Sequence, residues 1–170
     1  MGSDEETPIS LEALHRHFLV THLKGEAACV LKRLERRAEE SHESVADLLA
    51  DLVGCWNKPD GYRDDKWRTR EIPIDGCYFA HTDFRHRRIP KDQRFVDFLG
   101  GALHEIERGS FPCSWEIRAP WESTPMLEPL VQERGQGRYY VLDGQLRVIR
   151  HWYHGVPSVR VFIYRGESGV

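Results

Sequence analysis

The chain has 170 residues, of which 40% are hydrophobic and 30% are charged, and its formal net charge is −3. This length suits one ordinary domain, or one domain with a helical appendage, and leaves little room for two full domains. The slightly acidic balance excludes a global attraction to nucleic acid or to an anionic membrane, so a nucleic-acid role would need a local basic patch. Because no apolar run approaches the roughly 20 residues that cross a bilayer, we expect no membrane partner.

The cysteine pattern and the N-terminus indicate the compartment. The four cysteines are widely spaced and form neither a Cys-x-x-Cys pair nor a compact secreted framework, so reduced thiols are expected. They are Cys29, Cys55, Cys77 and Cys113. Residues 1–7 are acidic and lack the basic and apolar regions of a signal peptide. We therefore expect a cytoplasmic protein.

The first predicted element is a long helix that begins after Ser10, a plausible N-cap, and bends near Gly25. Residues 39–43 are polar and predict a turn. Residues 44–47 then resemble a capping box, and an apolar stripe continues to Trp56. These two helices predict an antiparallel hairpin at the N-terminus.

The next segment, residues 57–70, is rich in charge and contains an Asp-Gly pair, so it predicts a linker. Residues 71–75 alternate apolar and polar side chains and predict a first short strand. We therefore divide the chain into a helical region with its linker, residues 1–70, and a second domain, residues 71–170.

The second domain continues with a strongly patterned helix. Residues 91–108 carry apolar side chains at steps of three and four, and Gly109 follows as a natural stop. Residues 113–117 and 130–132 predict two further strands. The whole pattern predicts an α/β protein of the α+β kind with a small mixed sheet.

The most informative segment lies near the C-terminus. Residues 139–142 predict a strand, Asp143-Gly144 a turn, residues 146–154 a short helix ended by a glycine, and residues 158–164 a last strand with Val159, Val161 and Ile163 facing inward. A glycine at a strand-to-helix turn lets backbone N–H groups face an anion, and an arginine one turn later can clamp it. This arrangement favours a phosphate ligand, although a plain surface turn would read the same way.

The motif Asp143-Gly144-Gln145-Leu146-Arg147 and its flanks carry a family resemblance. With Leu127-Glu-Pro-Leu-Val131 before it and Gly155-Val-Pro-Ser-Val159 after it, the motif resembles the signature of the ParB/sulfiredoxin superfamily. The match is tight over residues 127–166 and looser back to about Glu71. The resemblance implies that residues 71–170 form a ParB/sulfiredoxin-like nucleotide-binding domain and that the five motif residues bind phosphate.

The chain also departs from that family. Sulfiredoxins carry their catalytic cysteine where Gln145 stands, so sulfinic-acid reduction is not expected. Leu146 replaces a polar side chain that precedes the motif arginine in other members. Arg150 stands where a small residue is usual, and it could compensate for a lost phosphate contact.

Further site candidates lie outside the motif. In the family's free-serine kinases an early acidic residue acts as the base, and the match proposed here is Asp83, with Glu71 and Asp75 as alternatives. Arg85 or Arg94 would assist at the phosphates, and Arg150 and His151 could add contacts. The alternative for residues 83–88 is a solvated basic loop.

His151 and His154 could share a metal ion, but a compact third ligand is not evident, so we predict no metal site in the protein itself. The two side chains are more simply explained as flanking the pocket or lying half-buried beside Trp152.

The resemblance implies a cytoplasmic nucleotide-binding enzyme that uses ATP or another NTP with Mg²⁺ for phosphoryl transfer to a small molecule or for nucleotide hydrolysis. The first alternative is a non-catalytic regulatory module with a degenerate pocket, whose N-terminal helices bind a protein partner or self-associate. The weaker alternative is a non-specific nuclease. Chromosome-partitioning members append a helix-turn-helix after this core, and no residues follow position 170, so sequence-specific DNA recognition is not expected.

Overall fold

The computed structural model describes residues 6–23, 26–54, 67–123 and 128–164. The chain divides into two compact units, one over Pro8–Trp67 and one that joins the first seven residues to Arg68–Val170. We call them the helical unit and the sheet unit. No helix in the described ranges has both the length and the apolar character needed to cross a membrane.

The helical unit contains three described helices: α1 (Leu11–Leu23), α2 (Ala27–Ser41) and α3 (Val45–Gly54). The predicted two-helix hairpin is therefore wrong, because the first predicted helix is two helices. The expected bend at Gly25 and the end of the second stripe at Trp56 lie outside the described residues. Apolar residues of all three helices form the interior, among them Leu14, Phe18, Leu19, Ala27, Leu48 and Leu49.

Two predicted helix starts are confirmed by their capping contacts. Ser10 Oγ accepts the Ala13 N–H at 3.1 Å at the start of α1. Ser44 Oγ accepts the Asp47 N–H at 3.0 Å and donates to the Asp47 carboxylate at 2.6 Å at the start of α3. These bonds satisfy backbone donors that a helix leaves unpaired in its first turn.

The sheet unit is built on a mixed sheet, so the predicted α+β class is confirmed. Its strands are β1 (Thr7–Pro8), β2 (Trp67–Pro73), β3 (Cys77–Phe79), β6 (Leu130–Glu133), β7 (Tyr139–Asp143) and β8 (Ser158–Tyr164), in the order β1-β2-β8-β6-β7-β3. β3 runs parallel to β7, whereas β6 runs antiparallel to β7 and parallel to β8. A small separate hairpin is formed by β4 (Asp83–Phe84) and β5 (Arg87–Arg88).

Helices cover one face of this sheet. α4 (Phe95–Arg108) and α6 (Gln145–Tyr153) share a single buried cluster with the strands, while α5 (Ser114–Arg118) packs beside them. The rings of Phe79 and Phe95 stack within this cluster at a centroid distance of 3.7 Å. The predicted inward residues of β8 are confirmed, since Val159, Val161 and Ile163 are all buried.

Several predicted elements need correction. Residues 113–117 are not a strand, because Cys113 adopts a left-handed conformation (φ 58°) and α5 follows it. The linker prediction is wrong for residues 67–70, which begin β2, and its residues 57–66 lie outside the described part of the chain. The helix expected from residue 91 begins at Phe95, because Arg94 is extended and Phe79 N–H donates to Gln93 O at 2.9 Å.

Candidate functional site

The predicted phosphate turn lies at the carboxyl end of two neighbouring parallel strands. β3 and β7 are paired from Cys77 opposite Tyr139 to Phe79 opposite Val141, so both strands end at the same edge of the sheet. In open sheets with parallel strands, ligands bind outside this edge. The fold therefore places the Asp143–Gly144 bend where a ligand site is expected.

His81 is a candidate residue that the sequence did not point to. It lies just beyond β3, and its Nε2–H donates to the Leu142 carbonyl at 3.0 Å. Because a carbonyl oxygen only accepts, this bond requires a proton on Nε2, and Nδ1 takes no part in it. The residues after Tyr78 gave no signal of this role, because β3 has only three residues and its pairing with β7 is non-local.

The bend itself is closely packed. Gly144 has φ +86°, and a Cβ at this position would lie 2.9 Å from Pro129 Cα and 3.2 Å from Arg147 Nη1. Its N–H donates to Asp143 Oδ1 at 2.9 Å. The turn therefore requires glycine, and one of its anion-binding donors is engaged by the neighbouring carboxylate.

Arg147 lies over the bend as predicted, but its guanidinium is engaged within the protein. Nη1 donates to the Glu128 carbonyl at 3.1 Å, and the side chain is half-buried. Glu128 also contacts a second arginine, because its Oε1 lies 3.9 Å from Arg160 Nε.

Two polar atoms at the start of α6 are buried and have no hydrogen-bond partner among the described residues. They are Asp143 Oδ2, an acceptor, and Gln145 Nε2, a donor. Buried polar atoms are normally paired, so these two atoms are candidates for contact with a ligand. They lie on either side of Gly144 in the motif.

Leu146 and Arg150 do not face a phosphate in the manner of polar pocket residues. Leu146 packs half-buried against the core cluster. Arg150 is only 5% exposed, and its Nη2 donates to the carbonyls of Ala119 (3.4 Å) and Pro120 (3.0 Å). Arg150 therefore holds the segment after α5, and the suggested compensation by its guanidinium is not supported by these contacts.

His151 in α6 and His154, which follows the end of α6, both contact Trp121. His151 Nδ1–H donates to the Arg147 carbonyl at 2.6 Å, and its ring meets Trp121 edge-on at a centroid distance of 4.8 Å. His154 Nε2–H donates to the Ile117 carbonyl at 3.0 Å. Burial lowers the pKa of His151, and the nearby Arg150 acts in the same direction. His151 thus lies one turn beyond the phosphate turn, as a neutral packing partner.

The β4–β5 hairpin carries Asp83 and Arg85. Asp83 is exposed, and its Oδ1 accepts the His86 N–H at 3.2 Å. Arg85 and His86 form the turn with φ values of 48° and 71°, which L side chains rarely adopt. The Leu142 carbonyl at the carboxyl end of β7 accepts from His81, whereas the described hydrogen bond of Asp83 goes to His86.

The other basic candidates are paired locally. Arg87 makes two hydrogen bonds of 2.8 Å to the Glu105 carboxylate of α4. Arg94 donates to Asp97 at 2.9 and 3.0 Å, and this hydrogen bond lowers the pKa of Asp97. With Arg150 held by two carbonyls, the structure does not assemble these arginines around the phosphate turn.

No group of three or more histidine, cysteine, aspartate or glutamate side chains is placed to hold a metal ion within residues 6–23, 26–54, 67–123 and 128–164. No family model, curated protein or solved structure matches this chain. The likeness to the ParB/sulfiredoxin superfamily therefore rests on the quoted motif residues alone.

Proposed function

We propose that this chain is a nucleotide-binding enzyme with a ParB/sulfiredoxin-like sheet unit, and that it catalyses phosphoryl transfer to a small molecule or nucleotide hydrolysis. The strand, left-handed glycine bend and helix over residues 139–153 support the phosphate site, together with Arg147 one turn into α6. The position of this turn at the carboxyl end of the β3–β7 pair supports it further.

The observation that carries the proposal is the pair of buried unpartnered atoms, Asp143 Oδ2 and Gln145 Nε2. A carboxylate oxygen is the ligand type that Mg²⁺ prefers, and a side-chain amide donates readily to a phosphate oxygen. The two atoms therefore supply an acceptor suited to Mg²⁺ and a donor suited to a phosphate oxygen. Mg²⁺ would offset the repulsion between the Asp143 carboxylate and a phosphate.

The proposed transfer needs a base for the acceptor. A hydroxyl oxygen of the acceptor forms a bond to the terminal phosphorus, the bond from that phosphorus to the leaving phosphate oxygen breaks, and the hydroxyl proton moves to the base. The family resemblance suggested Asp83. The described contacts favour His81, because its Nε2 is bonded to Leu142 O at the carboxyl end of β7 and its Nδ1 is not used in that bond.

Isothermal titration with ATP, CTP and GTP, each with and without Mg²⁺, tests the binding step. Arg147→Ala should weaken nucleotide binding by about tenfold or more, since a charge-assisted bond to phosphate contributes roughly 1.5–3 kcal/mol. Arg108→Ala, at the exposed end of α4, is the matched control and should bind as the parent does. An absence of heat with every nucleotide, or equal binding by both variants, contradicts the proposal.

Activity is tested separately by following phosphate release and transfer. His81→Gln retains a side-chain N–H donor but removes the basic nitrogen, so turnover should fall while nucleotide affinity stays within about twofold. Asp83→Asn is the paired variant. If Asp83→Asn abolishes turnover and His81→Gln leaves it unchanged, the base is Asp83.

A second function is favoured by the way the site is closed. Gly144 N–H and Arg147 Nη1 are engaged internally, and Leu146 packs against the core, which suits a non-catalytic module with a degenerate pocket. In that case the helical unit would bind a protein partner or a second copy. Sedimentation velocity across a concentration series would detect self-association, and binding of a Mg²⁺-nucleotide would exclude a degenerate pocket.

A further inference from the structure

A pair of stacked tyrosines lies on the sheet face opposite the main core. Tyr78 and Tyr140 are directly opposite each other on β3 and β7, so their side chains share one face. Their ring centroids are 5.3 Å apart and the ring planes differ by 25°. The core cluster contains their strand neighbours Cys77, Phe79 and Val141, which face the other way.

Arginines from the β6–β7 turn extend this stack. The Arg134 guanidinium lies 4.7 Å from the centroid of the Tyr140 ring, and its Nε–H donates to Gln132 Oε1 at 2.9 Å. Arg134 N–H donates to Arg138 O at 3.0 Å, which closes the turn and places Arg138 beside it. Both arginines are exposed. The result is a layered arrangement of guanidinium, Tyr140 and Tyr78.

The stack is held in place before any ligand arrives. Tyr140 Oη–H donates to Asp92 Oδ1 at 3.1 Å, and Asp92 itself is fixed in a left-handed conformation with φ 53°. Tyr140 is only 6% exposed, whereas Tyr78 is half-buried on β3, between Tyr140 of β7 on one side and the backbone bridge to Arg94 on the other. Part of the Tyr78 side chain therefore remains accessible next to an ordered stack.

Several cations belong to the segments that hold the stack, although the net charge of the chain is −3. Lys91, Arg134 and Arg138 are exposed cations. The carboxylate of Asp92 is engaged by Tyr140, and the other nearby cation, Arg94, is already paired with Asp97. Exposed cations beside the accessible part of Tyr78 suit a ligand that is both anionic and flat.

We propose that this surface, formed by Tyr78, Tyr140, Arg134, Arg138 and Lys91, binds single-stranded nucleic acid without sequence preference. A base stacks on the exposed side of Tyr78, and the cations contact the phosphates on either side. Duplex bases are paired and already stacked, so they cannot occupy this position. The inference is independent of the phosphate turn, because its residues lie on other parts of β3, β7 and the β6–β7 turn.

Fluorescence anisotropy of a labelled oligo(dT) of roughly 20 nucleotides tests the proposal at several salt concentrations. Three phosphate contacts predict a slope of about −2 in log affinity against log salt. Tyr78→Ala should weaken binding by about 5- to 140-fold, which corresponds to the stacking of one base. Tyr78→Phe keeps the ring and should bind as the parent does. Arg134→Ala combined with Arg138→Ala should lower both affinity and salt slope.

Arg108→Ala serves as the control for total charge, and circular dichroism confirms that each variant is folded. Equal affinity for duplex and single-stranded DNA would overturn the stacking argument. Competition by poly-glutamate as effective as that by oligo(dT) would indicate an acidic protein partner and overturn the proposal. A lack of binding by the parent protein would also overturn it, and titration of Mg²⁺-nucleotide in the same samples shows whether the phosphate turn is intact.

Discussion

Gly144→Ala is the sharpest test of the bend that organises the candidate site. Gly144 has φ +86°, and an added Cβ would lie 2.9 Å from Pro129 Cα and 3.0 Å from Pro129 Cβ. Pro129 cannot easily withdraw, because its carbonyl accepts the Phe162 N–H of β8 at 2.9 Å. The substitution therefore combines an unfavourable backbone conformation with a backbone clash.

The magnitude follows from these two contributions. The left-handed conformation costs an alanine roughly 1–2 kcal/mol, and overpacking against a fixed neighbour costs roughly 1–3 kcal/mol. We expect Gly144→Ala to lower the free energy of unfolding by about 2–5 kcal/mol. A domain with a stability of roughly 5–15 kcal/mol could remain folded under this loss.

Urea unfolding followed by circular dichroism measures the effect, and two glycines provide controls. Gly135 has φ +77° but no atom within 4 Å of an added Cβ, so Gly135→Ala isolates the backbone cost of about 1–2 kcal/mol. Gly101 lies in α4 with open space around it, so Gly101→Ala should stabilise the protein by about 0.5–1 kcal/mol. If Gly144→Ala destabilises no more than Gly135→Ala, the packing of the bend against Pro129 is refuted.

Three further predictions concern parts of the chain outside the bend. A double-mutant cycle on Arg87 and Glu105 should give a coupling free energy of about 0.5–1 kcal/mol. This energy should shrink at high salt, because the two side chains are 39% and 35% exposed. A coupling free energy that is unchanged in molar salt would contradict this prediction. Burial raises the pKa of Cys77 to about 12, so Cys77 should react with a disulfide reagent much more slowly than exposed Cys29 until urea unfolds the protein. Comparable rates in the native state would be inconsistent with burial. The pKa of His151 is lowered from 6.5, so its contribution to stability is present above that pH and is lost as the pH falls through the folded-state pKa. NMR titration should place the midpoint of His151 below 6.5. The His151→Gln variant should show less of this pH dependence.

The region from Tyr139 to Tyr164 could be predicted because its signals are local. An aromatic and β-branched run, an Asp-Gly break, a helical apolar stripe and a strict alternation each specify one element. Residues 113–117 were misassigned for the opposite reason. In so short a segment, period two and period 3.6 cannot be separated, and the burial of Ser114 and Ile117 at a spacing of three is recognised only in the folded structure.

The features that the sequence did not predict depend on contacts between residues far apart in the chain. β3 has three residues and exists through its pairing with β7, so neither the strand nor the position of His81 could be predicted from local pattern. The same strand sets the start of α4, since its pairing with Gln93 keeps Arg94 extended. Arg150 looked like a phosphate ligand because the sequence does not show that the carbonyls of Ala119 and Pro120 lie within its reach.

The carboxylate at the bend predicts that phosphate binding at the proposed site depends on a cation. A phosphate that approaches Gly144 N–H must displace Asp143 Oδ1, and the displaced carboxylate then lies beside the anion. At about 4 Å this repulsion costs roughly 1 kcal/mol in water and roughly 4 kcal/mol in a partly buried site. Binding without a cation should therefore be weak.

The Asp143→Asn variant tests this dependence, because it removes the charge and keeps an oxygen for the Gly144 N–H. Without Mg²⁺, the variant should bind inorganic phosphate more tightly than the parent protein does. When Mg²⁺ is added, the variant should gain less affinity than the parent. Calorimetry that shows the same Mg²⁺ dependence in both proteins would place the cation, if any, away from Asp143.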